Sequence, residues 1–386
     1  MDIVFYSSIF FSDCDFSLIR EYQEKGLNVT YFIQIVDGRQ CGGLLDLRSY
    51  KFPPGIYPAL KFKEMKVYED YINLSNVYFV WRNPNLKDLK NWKVYWRLTQ
   101  MIRKINPHVV HIAGELGVSE SLLYSFRKKM VQTVHDPFMH SGEESRLAEI
   151  KRRISFRIVR KLVLLNGKQK NDFIKEYGVP SCNTYINRLG VYTALNYLSA
   201  RQQKNDVSKE KYILFFGHIS PYKGIDTLCE AMKKIHEVIP DLKCVIAGKG
   251  DLYFDYSAYK DCDYIILKNH FIATVELVSL IENSVFTVCP YKDATQSGVV
   301  SSSFALAKPV LATNVGGLGE SVLDGITGRL ISPNNSDILS QAIVDMMQHE
   351  DLLISYSKNI KTIFWEGNKS WSAIADKYIQ IYETKA

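Results

Sequence analysis

Tyr212-Ile213-Leu214-Phe215-Phe216-Gly217-His218-Ile219-Ser220-Pro221-Tyr222-Lys223-Gly224 is the stretch on which the fold turns. Its five apolar residues, Tyr212–Phe216, read as a buried strand. Gly217 to Gly224 form the turn at the strand's carboxyl end, and Ile225–Val238 has the periodicity of a helix. A lysine at the mouth of a helix, beside amides that the helix leaves unbonded, suits a diphosphate. A plain strand-to-helix turn with an exposed lysine would look the same, so this turn alone does not decide function.

The rhythm continues on both sides. Downstream, Leu242–Ala247, Tyr264–Leu267, Phe286–Cys289 and Pro309–Thr313 read as further strands. Upstream, Leu195–Lys211 is polar and unpatterned. Before it, strands at Asp2–Tyr6, Val29–Gln34, His108–Ile112 and Val131–Val134 alternate with helices at Phe16–Lys25, Trp92–Ile105 and Glu120–Lys129. Residues 38–90, rich in Pro, Tyr and Lys, read as irregular structure or a β insertion. The alternation predicts an α/β protein of two Rossmann-like, doubly wound parallel-sheet domains. Their expected extents are 1–195 and 212–365, joined by a linker at 196–211, with a final helix in 366–386 packing back on the first domain. Ligands of such sheets sit at the carboxyl ends of the strands, which puts the expected active site in a central cleft between facing sheets.

Composition narrows the function classes. The chain has 386 residues, enough for two cores, and no apolar run nears the roughly 20 residues of a membrane-spanning helix. The start, Met1-Asp2-Ile3-Val4-Phe5-Tyr6, lacks a basic region followed by an apolar one and reads as a strand rather than a signal peptide. Seven scattered cysteines without a C-x-x-C pair argue against a disulfide framework or a zinc site, and for a reducing, cytoplasmic setting. The net charge of +7 is concentrated in the first half. Lys151-Arg152-Arg153-Ile154-Ser155-Phe156-Arg157-Ile158-Val159-Arg160-Lys161 is its densest stretch. It reads either as a solvated helix face or as peripheral contact with an anionic membrane or a phosphorylated lipid acceptor. Nucleic acid is not expected, because no binding motif accompanies the charge.

Two further turns carry chemistry. Ala247-Gly248-Lys249-Gly250-Asp251 leaves a buried strand with glycines where a nucleotide could approach the backbone. Cys289-Pro290-Tyr291-Lys292-Asp293-Ala294-Thr295-Gln296-Ser297-Gly298-Val299-Val300 leaves another and opens a helix whose first amides form an anion nest. Ala312-Thr313-Asn314-Val315-Gly316-Gly317-Leu318-Gly319-Glu320 and Asp324-Gly325-Ile326-Thr327-Gly328-Arg329-Leu330 follow.

In this order and spacing the five motifs, spanning about residues 212–335, resemble the donor domain of GT-B retaining nucleotide-sugar glycosyltransferases (family-four type, group 1). The resemblance implies a metal-independent, hexosyl-type transfer from a nucleotide-diphosphate sugar to a glycan or lipid-linked acceptor in surface polysaccharide assembly. No cofactor is implied beyond that co-substrate. Lys223 matches the family's lysine in the first motif, and His218 stands where an arginine is usual; both would meet the leaving diphosphate. Donor contacts are implied for Gly217, Gly250, Asp293, Gln296, Ser297, Gly298, Val299 and Ser302, and base contacts for His270, Phe271 and Ile272. The family's pair of glutamates falls on Ala294 and Ser302, so neither is present, and Asp293, Gln296 and Ser302 are the available substitutes. In the first half, Val131-Gln132-Thr133-Val134-His135-Asp136-Pro137-Phe138-Met139-His140 resembles the family's strand-end His-Asp motif. It implies His135 at the reacting centre, with Asp136 and His140 on the acceptor side. A core histidine is the competing reading for His135. Front-face attack, in which the departing phosphate takes the acceptor's proton, fits the lack of an evident enzymic nucleophile. A non-catalytic nucleotide-sugar-binding subunit and a GT-B nucleotide-sugar epimerase are the alternatives.

Overall fold

The computed structural model describes residues 1–138, 146–202, 210–294 and 297–384. The chain divides into two compact units, Met1–Leu189 together with the closing helix Trp371–Glu383, and Gly190–Ser370.

The first unit is built on an eight-stranded sheet. Its order is Thr184–Ile186, Lys161–Leu164, Met130–Val134, Val109–Ala113, Asp2–Ser8, Asn28–Val36, Val77–Arg82 and Gly55–Pro58. All neighbours are parallel except the last pair. The central strands are buried on both faces, which is why they read as continuous apolar runs rather than alternating ones. Strand order reverses beside Asp2–Ser8, so the switch point lies where Ser8 and Ala113 end their strands.

The second unit holds six parallel strands in the order Ile265–Asn269, Lys243–Gly248, Tyr212–Phe216, Thr287–Cys289, Val310–Thr313 and Gly328–Ile331. Its switch point falls between Tyr212–Phe216 and Thr287–Cys289. The turns leaving those two strands, after Phe216 and after Cys289, therefore flank the crevice where such sheets bind ligands.

Three expectations change. Residues 38–90 contain a regular parallel strand, Val77–Arg82, besides the short antiparallel pairing of Cys41–Gly42 with Leu45–Asp46 and the edge strand Gly55–Pro58. The expected linker begins too late. The units part at Leu189–Gly190, and Thr193–Ser199 is a helix of the second unit with Ala194, Leu195 and Leu198 buried. Ser119–Lys129 winds in 3-10 turns rather than as an α-helix. Glu120 and Leu123 are buried and Phe126 packs on the same core, a three-residue spacing that a three-residue turn keeps on one face.

Candidate active site

The turn after Tyr212–Phe216 is knitted to its neighbours by backbone contacts. Gly217 N donates to the Ala247 carbonyl at 3.0 Å, and Ile219 N to the Lys249 carbonyl at 3.1 Å. Gly224 has φ +67°, and a Cβ there would lie 2.0 Å from the Pro290 carbonyl oxygen. Only glycine permits that approach, which brings the Lys223 end of the turn against Pro290 and Tyr291. Lys292 N donates to the Tyr222 carbonyl at 2.7 Å, and the Lys292 ammonium lies 2.6 Å from Asp226, which also accepts from the Tyr253 hydroxyl at 2.8 Å.

Within this frame Lys223 has an unusual setting. Its ammonium lies 3.8 Å from the centroid of the fully buried Tyr291 ring and 4.9 Å from that of Tyr222. The aromatic faces attract the cation. Burial pulls its pKa down to about 8, with the Cys289 sulfur opposing. The Tyr291 hydroxyl in turn lies 3.4 Å from that of Ser297. Ser297 is the N-cap of the helix Gly298–Ala305, yet its side chain makes no capping hydrogen bond. A half-buried cation and a helix start that its N-cap side chain leaves uncapped thus share one aromatic neighbour. That combination is what an anion needs.

The remaining donor residues sort differently. Val299 is buried, and a Cβ on Gly217 would come within 3.5 Å of it, so the first and third motifs touch there. Gly250 was expected to let a nucleotide approach. A Cβ there would meet the Ile219 carbonyl oxygen at 2.2 Å, so packing against the neighbouring turn also requires a glycine at this position. Asn269 brackets Gly250, donating to its carbonyl at 3.0 Å and accepting from its amide at 3.2 Å, and so anchors the segment carrying His270, Phe271 and Ile272. Phe271 is 43% exposed. His218 and Asp293 are exposed, and Ser302 is buried. Gly316, at φ +48°, would place a Cβ 1.5 Å from the Ala294 carbonyl oxygen, and Gly317 N donates to that oxygen at 3.3 Å. The fourth motif therefore clamps the third at the position where the family's first glutamate is missing. Gln296 and His140 lie outside the described residues.

The first unit has a site of its own at its switch point. His135 follows the strand Met130–Val134, and its ring stacks on Phe11 with centroids 3.9 Å apart and planes 8° from parallel. Burial lowers its pKa to about 4, against the opposing pull of Asp136, so the imidazole is neutral at physiological pH. Its Nε2 is buried without a hydrogen-bond partner. Both residues line a cavity of about 490 Å³ that also takes in Gln34, Arg82, Glu120 and Arg152. The Glu120 carboxylate accepts from Gln34 and from Gly117 N at 2.6 Å and lies 3.1 Å from the Arg82 guanidinium, yet burial still raises its pKa. The sequence reading missed Phe11, Arg82 and Glu120. They come from three separate turns of the sheet, and no local pattern announces that they meet.

The basic stretch 151–161 faces outward only in part: Arg157 and Arg160 are exposed. Arg152 is 5% exposed, donates to the Asp136 carbonyl and lies 3.3 Å from Glu115. Arg153 pairs with Glu149 and Glu176, and the Lys161 ammonium holds carbonyls at the end of the closing helix.

Residues 198–363 match the family model described as glycosyl transferases group 1, and residues 16–195 the model described as glycosyltransferase family 4. The chain belongs to the group 1 glycosyltransferases of GT-B fold. An uncharacterized glycosyltransferase of Methanocaldococcus jannaschii is 31% identical over 179 residues, covering 44% of this chain and 47% of that protein. The chain's match spans about half the length of this and two further curated relatives. Among solved structures, a glycosyltransferase from Rickettsia africae superposes with TM-score 0.66 at 17% identity, covering 99% of this chain and 97% of that one. An Anabaena protein in complex with UDP-glucose does so with TM-score 0.64 at 14% identity, covering 98% of each chain. For this group 1 family member such likeness establishes the architecture. No helix among the described residues is long and apolar enough to cross a membrane.

Proposed function

We propose that the protein is a retaining, metal-independent hexosyltransferase that moves a sugar from a nucleotide-diphosphate donor to a glycan or lipid-linked acceptor in surface polysaccharide assembly. The observation that carries this reading is the Lys223 ammonium, 3.8 Å from the Tyr291 ring beside the uncapped helix start at Ser297–Gly298. A fixed cation and fixed amides stabilise the charge that grows on a departing diphosphate, which is the role a metal ion plays elsewhere. The Anabaena protein with its UDP-glucose favours a uridine diphosphate sugar as donor. In the reaction the acceptor oxygen bonds to the anomeric carbon as the bond to the phosphate oxygen breaks. Attack comes from the face the diphosphate leaves, and that phosphate oxygen takes the acceptor's proton. His135, neutral and with its Nε2 unclaimed, acts as a hydrogen-bonding group that positions a sugar hydroxyl. His218 adds a donor toward the phosphates.

Nuclear magnetic resonance of the product tests the stereochemistry. Retention of the donor's anomeric configuration, with turnover insensitive to EDTA, is expected; an inverted linkage or metal dependence contradicts the proposal. The absence of the glutamate pair at Ala294 and Ser302 favours a second reading, a non-catalytic nucleotide-sugar-binding subunit. That reading predicts donor binding without release of nucleoside diphosphate in the presence of any acceptor fraction.

A further inference from the structure

A second cavity, of about 530 Å³, lies within the second unit at the opposite edge of its sheet. Lys211, Val285 and Lys308 line it, each just before a strand: Tyr212–Phe216, Thr287–Cys289 and Val310–Thr313. Ile354 and Lys358 of the helix Glu350–Ile360, with Lys361 after it, complete the rim. Ligands of a parallel sheet's catalytic crevice take the carboxyl ends of its strands, so the transfer reaction leaves this cavity at the amino ends unexplained.

Its charge is one-sided. Four lysines surround it, against Glu350, 2.7 Å from Lys211, and Glu282, whose charge acts on Lys308. The Lys211–Glu350 pair is exposed at both ends and holds its partners weakly. Lys308 donates to the carbonyl of Ser284, another lining residue, at 2.7 Å, and burial lowers its pKa. The rim also carries an apolar side chain: Ile354 is 72% exposed, and Leu352 on the same helix is 42% exposed. Inorganic phosphate would use the lysines and leave Ile354 without a role. A phosphodiester carrying acyl chains would use both, and the volume suits a headgroup.

We propose that this cavity takes the headgroup phosphate of an acidic phospholipid, with Ile354 seated among the acyl chains, so that the second unit contacts an anionic membrane surface. The basic stretch 151–161 is the weaker candidate, because Arg152 and Lys161 are buried within the first unit. This inference does not depend on the transfer chemistry.

Co-sedimentation with vesicles tests it, using phosphatidylcholine alone and phosphatidylcholine mixed with phosphatidylglycerol. The wild type is expected to partition onto the mixed vesicles and not onto phosphatidylcholine. Lys358→Gln with Lys361→Gln should lower that partition about 30-fold, or about fivefold for each lysine. Ile354→Asn, with charge unchanged, should lower it severalfold, and Arg157→Gln should leave it unchanged. All these positions are exposed, so unchanged melting temperatures will report intact folds. The proposal is overturned if the wild type shows no preference for phosphatidylglycerol, if either cavity variant partitions as the wild type does, or if Arg157→Gln has the larger effect.

Discussion

Lys223 concentrates the chemistry of the second unit, and its setting fixes how it should respond to pH. Its pKa in the ligand-free protein is about 8, below the 10.5 of an ordinary lysine, because burial disfavours the ammonium. A diphosphate binds the charged form. Affinity should therefore hold up to about pH 7.5 and decline through and above pH 8 as the cation is lost. The terminal phosphate is already ionised above about pH 7 and does not mimic this. Lys223→Arg, charged throughout, should flatten the decline, as calorimetry of nucleoside diphosphate binding across pH would show. His135 should behave otherwise. It stays neutral down to about pH 4, so its removal should not shift a pH profile in the neutral range. His135→Ala should lower turnover about ten- to a hundredfold through one lost hydrogen bond, with nucleoside diphosphate affinity measured by calorimetry unchanged. Lys223 could be read from the sequence because turn, lysine and helix are contiguous. The Tyr291 ring against it could not, because that contact joins two turns brought together only by the Gly224–Pro290 approach.

The short helix Gly298–Ala305 is the element on which anion binding rests, since its N-cap serine leaves the first amides uncapped. Gly298 is exposed, and a Cβ there would come to 3.0 Å from the Tyr192 hydroxyl. Gly298→Val should displace Tyr192 and crowd the phosphate, weakening nucleoside diphosphate binding about tenfold or more with little change in melting temperature. Equal affinity in calorimetry would remove the helix start from the site. Strands with uninterrupted apolar runs were legible, and Tyr212–Phe216 and Ile225–Val238 have the bounds the sequence predicts. Val77–Arg82 escaped notice because its flanks are rich in tyrosine, proline and lysine, and burial there comes from tertiary packing rather than local pattern. The stretch 151–161 was legible only in part, for the converse reason: composition counts charges but does not say that Arg152 and Lys161 are turned inward.

The first unit is completed by the far end of the chain. The Tyr382 hydroxyl on the closing helix bonds to Tyr22 at 2.6 Å and to His111, whose other nitrogen meets Thr133 at 2.8 Å; Thr133 in turn meets Tyr378 at 2.9 Å. Lys161 donates to the carbonyls of Ile381 and Tyr382 at 2.8 and 3.0 Å, occupying acceptors that a helix end leaves open. Lys161→Met should cost about 1–3 kcal/mol, read as faster hydrogen exchange across the first unit's sheet while that of the second is unchanged. The sequence predicts a final helix packing back on the first domain but not these individual partners, which are set by a network spanning most of the chain. Two units, each with its own switch point and its own site, support transfer only if the second holds a nucleoside diphosphate. Titration of uridine diphosphate into the wild type and Lys223→Ala, both shown folded, is the most direct measurement of that claim. Saturable binding by the wild type at one site is expected, with a loss of about a hundredfold in affinity in the variant; binding that is absent in the wild type, or equal in the two proteins, would mean that Lys223 does not hold a diphosphate.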